Sequence, residues 1–589
     1  MKLSRFIIVG LILLLALPVM AQEEGAGEGG TIVQTYSSGD PAAFIPLIYV
    51  DAASSDMVSR LYPTVFGIDP FTGLRTPGYK GTLATGWEYD ETGTVLTVTI
   101  RDDAYWSDGV QITTVDVMWS LDALRSGQLD GARGVSTWDV MDDGTEGSGP
   151  LIDAYAVDDF TYVMEFKEPD CIALQDVFSY VVPAHIFDEA FGDDLSLMNE
   201  DPQFFGGVSW AVWTDPELIP GDRVNFVPDQ AFPDTQLGYV SPEALVFLSV
   251  PDQDIEFEMF LAGDSTISGV PGDRQSEIEA NDAYQTYRYM QNGFNFAVFN
   301  VANPDNPQGA YDEDGNYIEQ DPHPVLGDKL VRQALVYAVD MDAIIENTMG
   351  GNAVNIGTYA LPLHWHYDDS LIYPFDQDMA GELLDEAGWV LEDGDYRVCR
   401  GCAYTAMDAD FEGTEMTLTF STTTGASDLI NQRFEFMAQS WRDIGVNITI
   451  EPMDWSTAYF PALMGQTFDI MTLQWSSLGL PVDPDATGLF TTDGDIPDVG
   501  WNFGSYHNLE LDQIYLDGRN PALTDGCTVE GRLPYYQRAS QILFEEVPYM
   551  FMTAPLRMSA VQAYHENWNP APFSRTWDED AWVTIAPGD

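Results

Sequence analysis

Residues 83–124 decide the fold of this chain, and they read LATGWEYDETGTVLTVTIRDDAYWSDGVQITTVDVMWSLDAL. Asp90-Glu91-Thr92-Gly93 is a turn signal. Over residues 96–100 apolar side chains alternate with threonines, which is the pattern of a half-buried strand. Thr113 is a favourable N-cap, and the apolar residues after it recur on one helical face. The stretch therefore predicts a strand hairpin followed by a helix.

The order of these parts resembles that in family 5 extracellular solute-binding proteins, the peptide- and nickel-binding components of ABC importers. The residues that carry the resemblance here are Leu83-Ala84, Trp87-Glu88, Trp106-Ser107-Asp108-Gly109, Thr113, Asp116-Val117 and Ser120-Leu121. Two further stretches, 326–342 and 374–389, also resemble family motifs. The resemblance extends over essentially the whole chain after its N-terminal segment.

The resemblance implies an α/β fold of the periplasmic-binding-protein type, with two lobes, a hinge and an additional inserted domain (cluster C type). Alternating strand and helix patterns along the chain agree with α/β domains. We expect lobe I to comprise residues 31–74, 207–292 and 551–589. The inserted domain is expected at 75–206, and lobe II at 293–550.

The chain is strongly acidic, with a net charge of −72 over 589 residues and lysine at only positions 2, 80, 167 and 329. Nucleic acids and anionic lipids bind basic patches, so neither is an expected partner. A polyanionic surface is compatible with a saline habitat, where salt screens self-repulsion. A generally acidic set of secreted proteins explains the charge equally well.

The N-terminus has the features of a secretion signal. Lys2 and Arg5 precede an apolar run, 6–19, and Val19-Met20-Ala21 suits cleavage before Gln22. We therefore expect a signal peptide at 1–21 and a flexible linker at 22–30. No cysteine lies near the cleavage position, so a lipid anchor is not expected. The mature protein is expected to be periplasmic or extracellular.

Four cysteines suit an oxidising compartment. Cys399 and Cys402 form a CxxC motif, for which a structural disulfide is favoured over a metal site or a redox-active pair. If these two pair with each other, Cys171 and Cys527 remain for a second disulfide. The sequence alone does not decide the connectivity.

Catalysis is the competing class of function. Carboxylate pairs arise anywhere among 95 acidic residues, so they give no specific support to a secreted carbohydrate-active enzyme. The chain has no GxSxG, HExxH or P-loop motif. His364 and His366 are near enough in sequence to consider a metal, but no histidine cluster supports one. We therefore expect a binding protein rather than an enzyme, without a cofactor or a metal centre.

The ligand is harder to predict. The resemblance implies how related dipeptide binders hold their ligand. An acid shortly after a tryptophan binds the amino group of the dipeptide, and an arginine at an earlier strand end binds its carboxylate. Here the first acid after Trp475 is Asp483, and the strand end at 421–424 has no arginine. Tight dipeptide selection is therefore not expected. Two kinds of ligand remain as candidates. One is a longer peptide held by main-chain pairing, and the other is a neutral ligand such as an oligosaccharide stacked on aromatic rings.

The candidate ligand-binding residues lie in the first loop and around the late aromatic residues. Tryptophan and phenylalanine rings there suit ligand stacking, although core or inter-lobe packing explains them equally well. The candidates are Ser38, Asp40, Trp455, Trp475, Ser476, Asp483, Trp501, Asn502 and Phe503. The expected function is capture of peptides, above all oligopeptides, by a monomer that delivers them to the permease subunits of an ABC transporter.

Overall fold

The computed structural model describes residues 29–585, apart from 38, 132, 230–231, 233–239, 251, 313, 477 and 481. The predicted signal peptide, residues 22–28 of the linker and the candidate residue Ser38 lie outside the described residues. Within the described part, no helix has both the length and the apolar character needed to cross a bilayer.

The described strands are numbered along the chain. They are β1 Thr31–Tyr36, β2 Ala84–Tyr89, β3 Val95–Ile100, β4 Leu151–Asp158, β5 Thr161–Phe166, β6 Trp213–Ile219, β7 Arg223–Pro228, β8 Ala244–Ser249, β9 Ile267–Gly269, β10 Tyr284–Met290, β11 Phe294–Phe299, β12 Ala353–Asn355, β13 Trp389–Leu391, β14 Arg397–Cys399, β15 Thr417–Thr423, β16 Asn447–Met453, β17 Ile470–Trp475 and β18 Tyr549–Gln562.

The described α-helices are numbered in the same way. They are α1 Ala52–Leu61, α2 Thr114–Arg125, α3 Arg133–Thr137, α4 Ala173–Asp176, α5 Ala184–Phe191, α6 Leu197–Glu200, α7 Gln253–Ala262, α8 Gln275–Glu279, α9 Lys329–Tyr337, α10 Met341–Met349, α11 Gln377–Glu386, α12 Asp428–Asp443, α13 Phe460–Met464, α14 Thr487–Phe490, α15 Leu509–Arg519 and α16 Val529–Glu546. Trp455–Tyr459 is a π-helical turn.

The hairpin and helix predicted for residues 83–124 are confirmed. Strands β2 and β3 pair antiparallel, and α2 begins after Thr113. The Thr113 side chain accepts a hydrogen bond from the first turn, and the Asp116 carboxylate accepts one from the Thr113 amide at 3.0 Å, which completes a capping box. Asp116 also accepts a hydrogen bond from the buried indole of Trp106 at 3.2 Å. The motif therefore fixes both the start of the helix and its position against the hairpin.

Three larger sheets organise the chain. The first has the order β1-β8-β7-β6, and the second, within residues 84–166, has the order β2-β3-β5-β4. The third has the order β10-β18-β11-β17-β15-β16, with β9 and β12 paired to β18. Buried residues of the first two sheets, such as Ile32, Leu96 and Phe247, belong to one hydrophobic cluster. The segments predicted as lobe I and as the inserted domain therefore share a core.

The connection between the lobes consists of two long crossing segments. The first part of β18 pairs with β11 in lobe II, and its second part pairs with β10 and β9 on the lobe I side. The β10–β11 link at 291–293 is the second crossing. Gly293 is needed in it, because a Cβ atom at this position would collide with the carbonyl oxygen of Trp475. These two crossings form the hinge.

The inserted domain also contacts lobe II away from the hinge. Cys171 is bonded to Cys527, and Arg519 at the end of α15 forms an ion pair with Asp170. The Cys171 amide donates to the Arg519 carbonyl oxygen at 2.7 Å. The other two cysteines, Cys399 and Cys402, form a local disulfide.

Candidate functional site

One large cavity lies where parallel strands of lobe II end. Strand β15 runs parallel to both β16 and β17, so the carboxyl ends of all three face the same edge of the sheet, where ligands bind in many α/β proteins. The cavity has a volume of about 880 Å³, and we call it the hinge-side chamber. Its lining residues come from these strand ends, from α10 and α12, from 272–275 of lobe I and from β18.

A second cavity, of about 730 Å³, lies between lobe I and the inserted domain. We call it the insert-side chamber. Residues 56–70 and 210–213 of lobe I, residues 75–82, 133–137 and 175–180 of the inserted domain, and the C-terminal segment 573–580 contribute to its wall. Leu480 of lobe II also lines it. The neighbouring residue Val482 donates its amide to the Gly73 carbonyl oxygen at 2.7 Å, so the loop after β17 reaches lobe I.

Trp455 is the candidate residue that lines the hinge-side chamber. Its ring is 48% exposed and stacks on Tyr459, with ring centroids 5.6 Å apart. The Asp454 side chain caps the π-helical turn by accepting from the Thr457 amide at 3.0 Å. Trp455 therefore offers a supported aromatic face to a ligand.

The other predicted aromatic residues form a continuous stack beside β17. Trp475 packs on Phe296 and on Trp501, and Trp501 packs on Phe503. Trp501 is 49% exposed, whereas Phe503 is buried in the lobe II core. Ser476 is exposed, and its carbonyl oxygen accepts from the Gln291 side chain in the hinge. Phe503 is thus a packing residue rather than a ligand contact.

Asp483 and Asn502 were expected at the site, and the structure instead assigns both to internal contacts. The two carboxylate oxygens of Asp483 accept from Arg532, at 2.6 and 2.9 Å. Asn502 is 1% exposed, and its amide group donates to the carbonyl oxygens of Thr491 and Tyr506. Neither side chain has polar atoms left for a ligand, because burial and internal partners already satisfy them.

Asp40 lies in the exposed loop after β1. Its carboxylate accepts from the Tyr36 hydroxyl at 3.3 Å and from the Gly221 amide at 2.8 Å. The residue does not line either chamber. These contacts hold the first loop against the turn between β6 and β7.

Five arginines line the two chambers, namely Arg60, Arg75, Arg133, Arg433 and Arg557, and none of them was among the predicted site residues. Arg433, in the second turn of α12, lines the hinge-side chamber together with Thr423 at the end of β15. Arg75 and Arg133 line the insert-side chamber. The guanidinium of Arg433 therefore lies close to the end of β15, where the sequence has no arginine. It was not expected there because Arg433 belongs to the helix that follows the strand. The scarcity of basic residues in the chain was the one sequence feature that could have drawn attention to these arginines.

His364 and His366 are buried. Among the described residues, no group of three or more potential metal ligands occurs. His364 contacts the Asn292 side chain at 2.8 Å, and His366 packs against Tyr359 and Tyr536 with no polar partner among the described residues. Burial lowers the pKa of His364 to about 3 and lowers that of His366 well below its usual value.

We expect His366→Phe to reduce the acid sensitivity of the protein. Below pH 6.5 the unfolded chain binds a proton at this histidine and the folded protein does not, so the wild type loses stability as the pH falls. Relative to the variant, the loss is up to about 1.4 kcal/mol per pH unit. Urea unfolding at pH 7.5, 6 and 5 measures it. His185→Phe, at a partly exposed position, is the control, and parallel pH profiles of wild type and His366→Phe would contradict the prediction.

The fold and the cleft are those of a two-lobe binding protein, and comparison with known proteins identifies the class. The model for bacterial extracellular solute-binding proteins, family 5 (middle region), matches residues 78–496, which is more than half of the chain. The chain therefore belongs to this family.

Relatives and solved structures agree with this assignment. The chain is 22% identical over 573 residues to the oligopeptide-binding protein AppA of Bacillus subtilis, covering 94% of this chain and 92% of that protein. The structure of the same protein with a nonapeptide aligns with a TM-score of 0.61 at 20% identity, over 95% of this chain and all of that one. HbpA2 from Haemophilus parasuis aligns with a TM-score of 0.70 at 17% identity, over 93% and 98% of the two chains.

Proposed function

We propose that this chain is the extracytoplasmic substrate-binding component of an ABC importer, and that it captures peptides of several residues between its lobes. The observation that carries the proposal is the nearly end-to-end alignment with an oligopeptide-binding relative, which leaves no large part of either chain unmatched. The captured peptide is then delivered to permease subunits in the membrane.

The cleft supports an extended ligand of this kind. Pockets for small ligands have volumes of about 300–1,000 Å³, and each chamber lies in the upper part of this range. Trp455 supplies an aromatic face in one of them. The proposed capture is by a monomer. It involves no catalytic step and no cofactor.

Thermal unfolding of the purified protein with ligand panels tests the proposed function. A ligand that binds only the native state raises the melting temperature by mass action. We expect tri- to pentapeptides to raise it and oligosaccharides to leave it unchanged. A rise with oligosaccharides alone would favour a neutral-solute importer, and turnover of a polymer without any rise would favour an enzyme.

Trp455→Ala is expected to weaken peptide binding by about tenfold or more, because aromatic anchors in pockets contribute about 2 kcal/mol or more. Isothermal titration with a peptide found in the panel measures the change. Phe375→Ala removes a comparably exposed aromatic side chain that lines neither chamber, and it serves as the control. Equal affinities of the two variants would exclude Trp455 from the site.

A further inference from the structure

The arginines that lack an acidic partner are concentrated at the cleft. Most of the described arginines form an ion pair with a carboxylate, as expected where 95 acidic residues surround 23 basic ones. Within the described part of the chain, the arginines without such a pair are Arg75, Arg133, Arg433, Arg557 and Arg575. Four of these line one of the two chambers, and Arg575 lies between two lining residues.

The insert-side chamber has a wall unlike the rest of this acidic protein. Its basic residues are Arg60, Arg75, Lys80 and Arg133, and its acidic residues are Asp56, Glu579 and Asp580. Glu579 is bound by Arg60 at 3.0 Å, and Asp580 is bound by Lys80. Basic groups thus outnumber acidic ones in a chain whose net charge is −72. Arg75 and Arg133 retain their charge without a bound carboxylate.

Arg75 is held in place by contacts that do not neutralise it. Its Nη2 atom donates to the Leu174 carbonyl oxygen at 2.7 Å, and the guanidinium lies 5.5 Å from the Phe66 ring centroid. The Nε atom is buried and has no hydrogen-bond partner among the described residues. Burial lowers the pKa of Arg75 to about 10, so the group is still charged at neutral pH. A partly buried cation without a counter-charge is less favourable than one that an anion joins.

Arg133 presents a second guanidinium to the same chamber. It lies over the Tyr49 ring, 3.8 Å from the centroid, and its Nε atom donates to the Tyr49 carbonyl oxygen at 3.2 Å. Stacking on a ring fixes the plane of the guanidinium and leaves the Nη groups as donors. A fixed guanidinium is suited to a planar carboxylate.

Two neutral donors add to this arrangement. The Tyr62 hydroxyl and the Trp210 indole N–H belong to side chains that are 2% and 1% exposed and line the chamber. Neither makes a hydrogen bond with the described residues. Buried polar groups in native proteins have partners, so unpaired donors beside two unpaired cations indicate a ligand that accepts hydrogen bonds.

We infer that the insert-side chamber is a subsite for a carboxylate group of the ligand, with Arg75 and Arg133 as its anchors. The inference rests on the proposed peptide-binding function and adds charge selectivity to it. The carboxylate can belong to an Asp or Glu side chain or to the peptide C-terminus. An acidic protein would otherwise repel such ligands, and the two cations offset that repulsion locally.

The test compares peptides that differ only in a carboxylate. Alanine pentapeptides carrying Asp or Asn at each position in turn, with a free or an amidated C-terminus, are titrated into the purified protein by calorimetry. A charged hydrogen-bonded contact is expected to give about ten- to hundredfold tighter binding of the preferred acidic peptide than of its amide counterpart. Preference for Asp over Asn identifies a side-chain carboxylate, and preference for the free terminus identifies the C-terminus.

Variants test whether the preference for acidic peptides arises in the insert-side chamber. Arg75→Met with Arg133→Met is expected to abolish the difference between acid and amide, and Arg75→Lys is expected to retain part of it. Arg400→Met removes an exposed arginine that is paired with Glu392 outside both chambers, and it should keep the full difference. Arg133→Met alone, at a half-buried position, serves if the double variant does not fold.

The outcomes separate the inference from the function on which it rests. If no pentapeptide of either kind binds, the proposed function fails. If peptides bind but acid and amide forms bind equally at every position, the function stands and the carboxylate subsite is overturned. A preference that persists in the double variant also overturns the assignment of Arg75 and Arg133.

Discussion

Replacing Arg532 with methionine is expected to lower the free energy of unfolding by about 3–5 kcal/mol. Arg532 is 6% exposed and binds both carboxylate oxygens of Asp483, the Tyr536 hydroxyl and the Gly518 carbonyl oxygen. Burial already raises the pKa of the neighbouring Asp485. Removing the cation leaves Asp483 charged in a buried environment without its partner. This unpaired charge is the reason why breaking a buried ion pair is unfavourable.

Urea unfolding followed by tryptophan fluorescence measures this loss. Arg538→Met is a matched control, since Arg538 lies on the same helix α16 and pairs with Glu510 at the surface, where an ion pair contributes about 0–1 kcal/mol. Adding Asp483→Asn to Arg532→Met should restore part of the stability, because the unpaired charge is then absent. If Arg532→Met and Arg538→Met unfold at the same urea concentration, the buried pair has no such role.

Replacing Cys171 and Cys527 with alanine is expected to lower stability by about 5 kcal/mol, and replacing Cys399 and Cys402 by about 2 kcal/mol. The two disulfides differ in sequence separation, 356 residues against 3. A cross-link restricts the unfolded chain more when the loop that it closes is longer. The long disulfide therefore has the larger expected effect.

Thermal and urea unfolding of the two double-alanine variants provide the comparison, and each variant is the control for the other. Dithiothreitol should destabilise the wild type by the combined amount. It should destabilise the variant without Cys399 and Cys402 only by the share of the long disulfide, about 5 kcal/mol. Equal losses in the two variants would contradict the loop-length account.

Local sequence patterns predicted the elements of this fold well. Thr113 is the N-cap of α2, as expected from its position before an apolar periodic segment, and Asp328 and Asp340 hold the same position before α9 and α10. Caps and periodicity depend on neighbours within a few residues, so they can be recognised without the fold.

The site was harder to predict because its chemistry depends on distant partners. Asp483 is the first acid after Trp475, but its partner Arg532 comes 49 residues later. Asn502 and Phe503 are removed from solvent by packing that no local pattern reports. The unpaired arginines at the chambers can be recognised only after every other arginine has been matched with its acid.

The Cys171–Cys527 bond also constrains the mechanics of the molecule. The segments predicted as lobe I and as the inserted domain share one hydrophobic cluster, and they are joined to the segment predicted as lobe II both by strands β10, β11 and β18 and by the disulfide. Two bodies joined at two separate places can turn only about the line through both. We therefore expect the cleft of the oxidised protein to open by rotation about that single axis, and reduction of the disulfide to leave the connecting strands free to bend and twist.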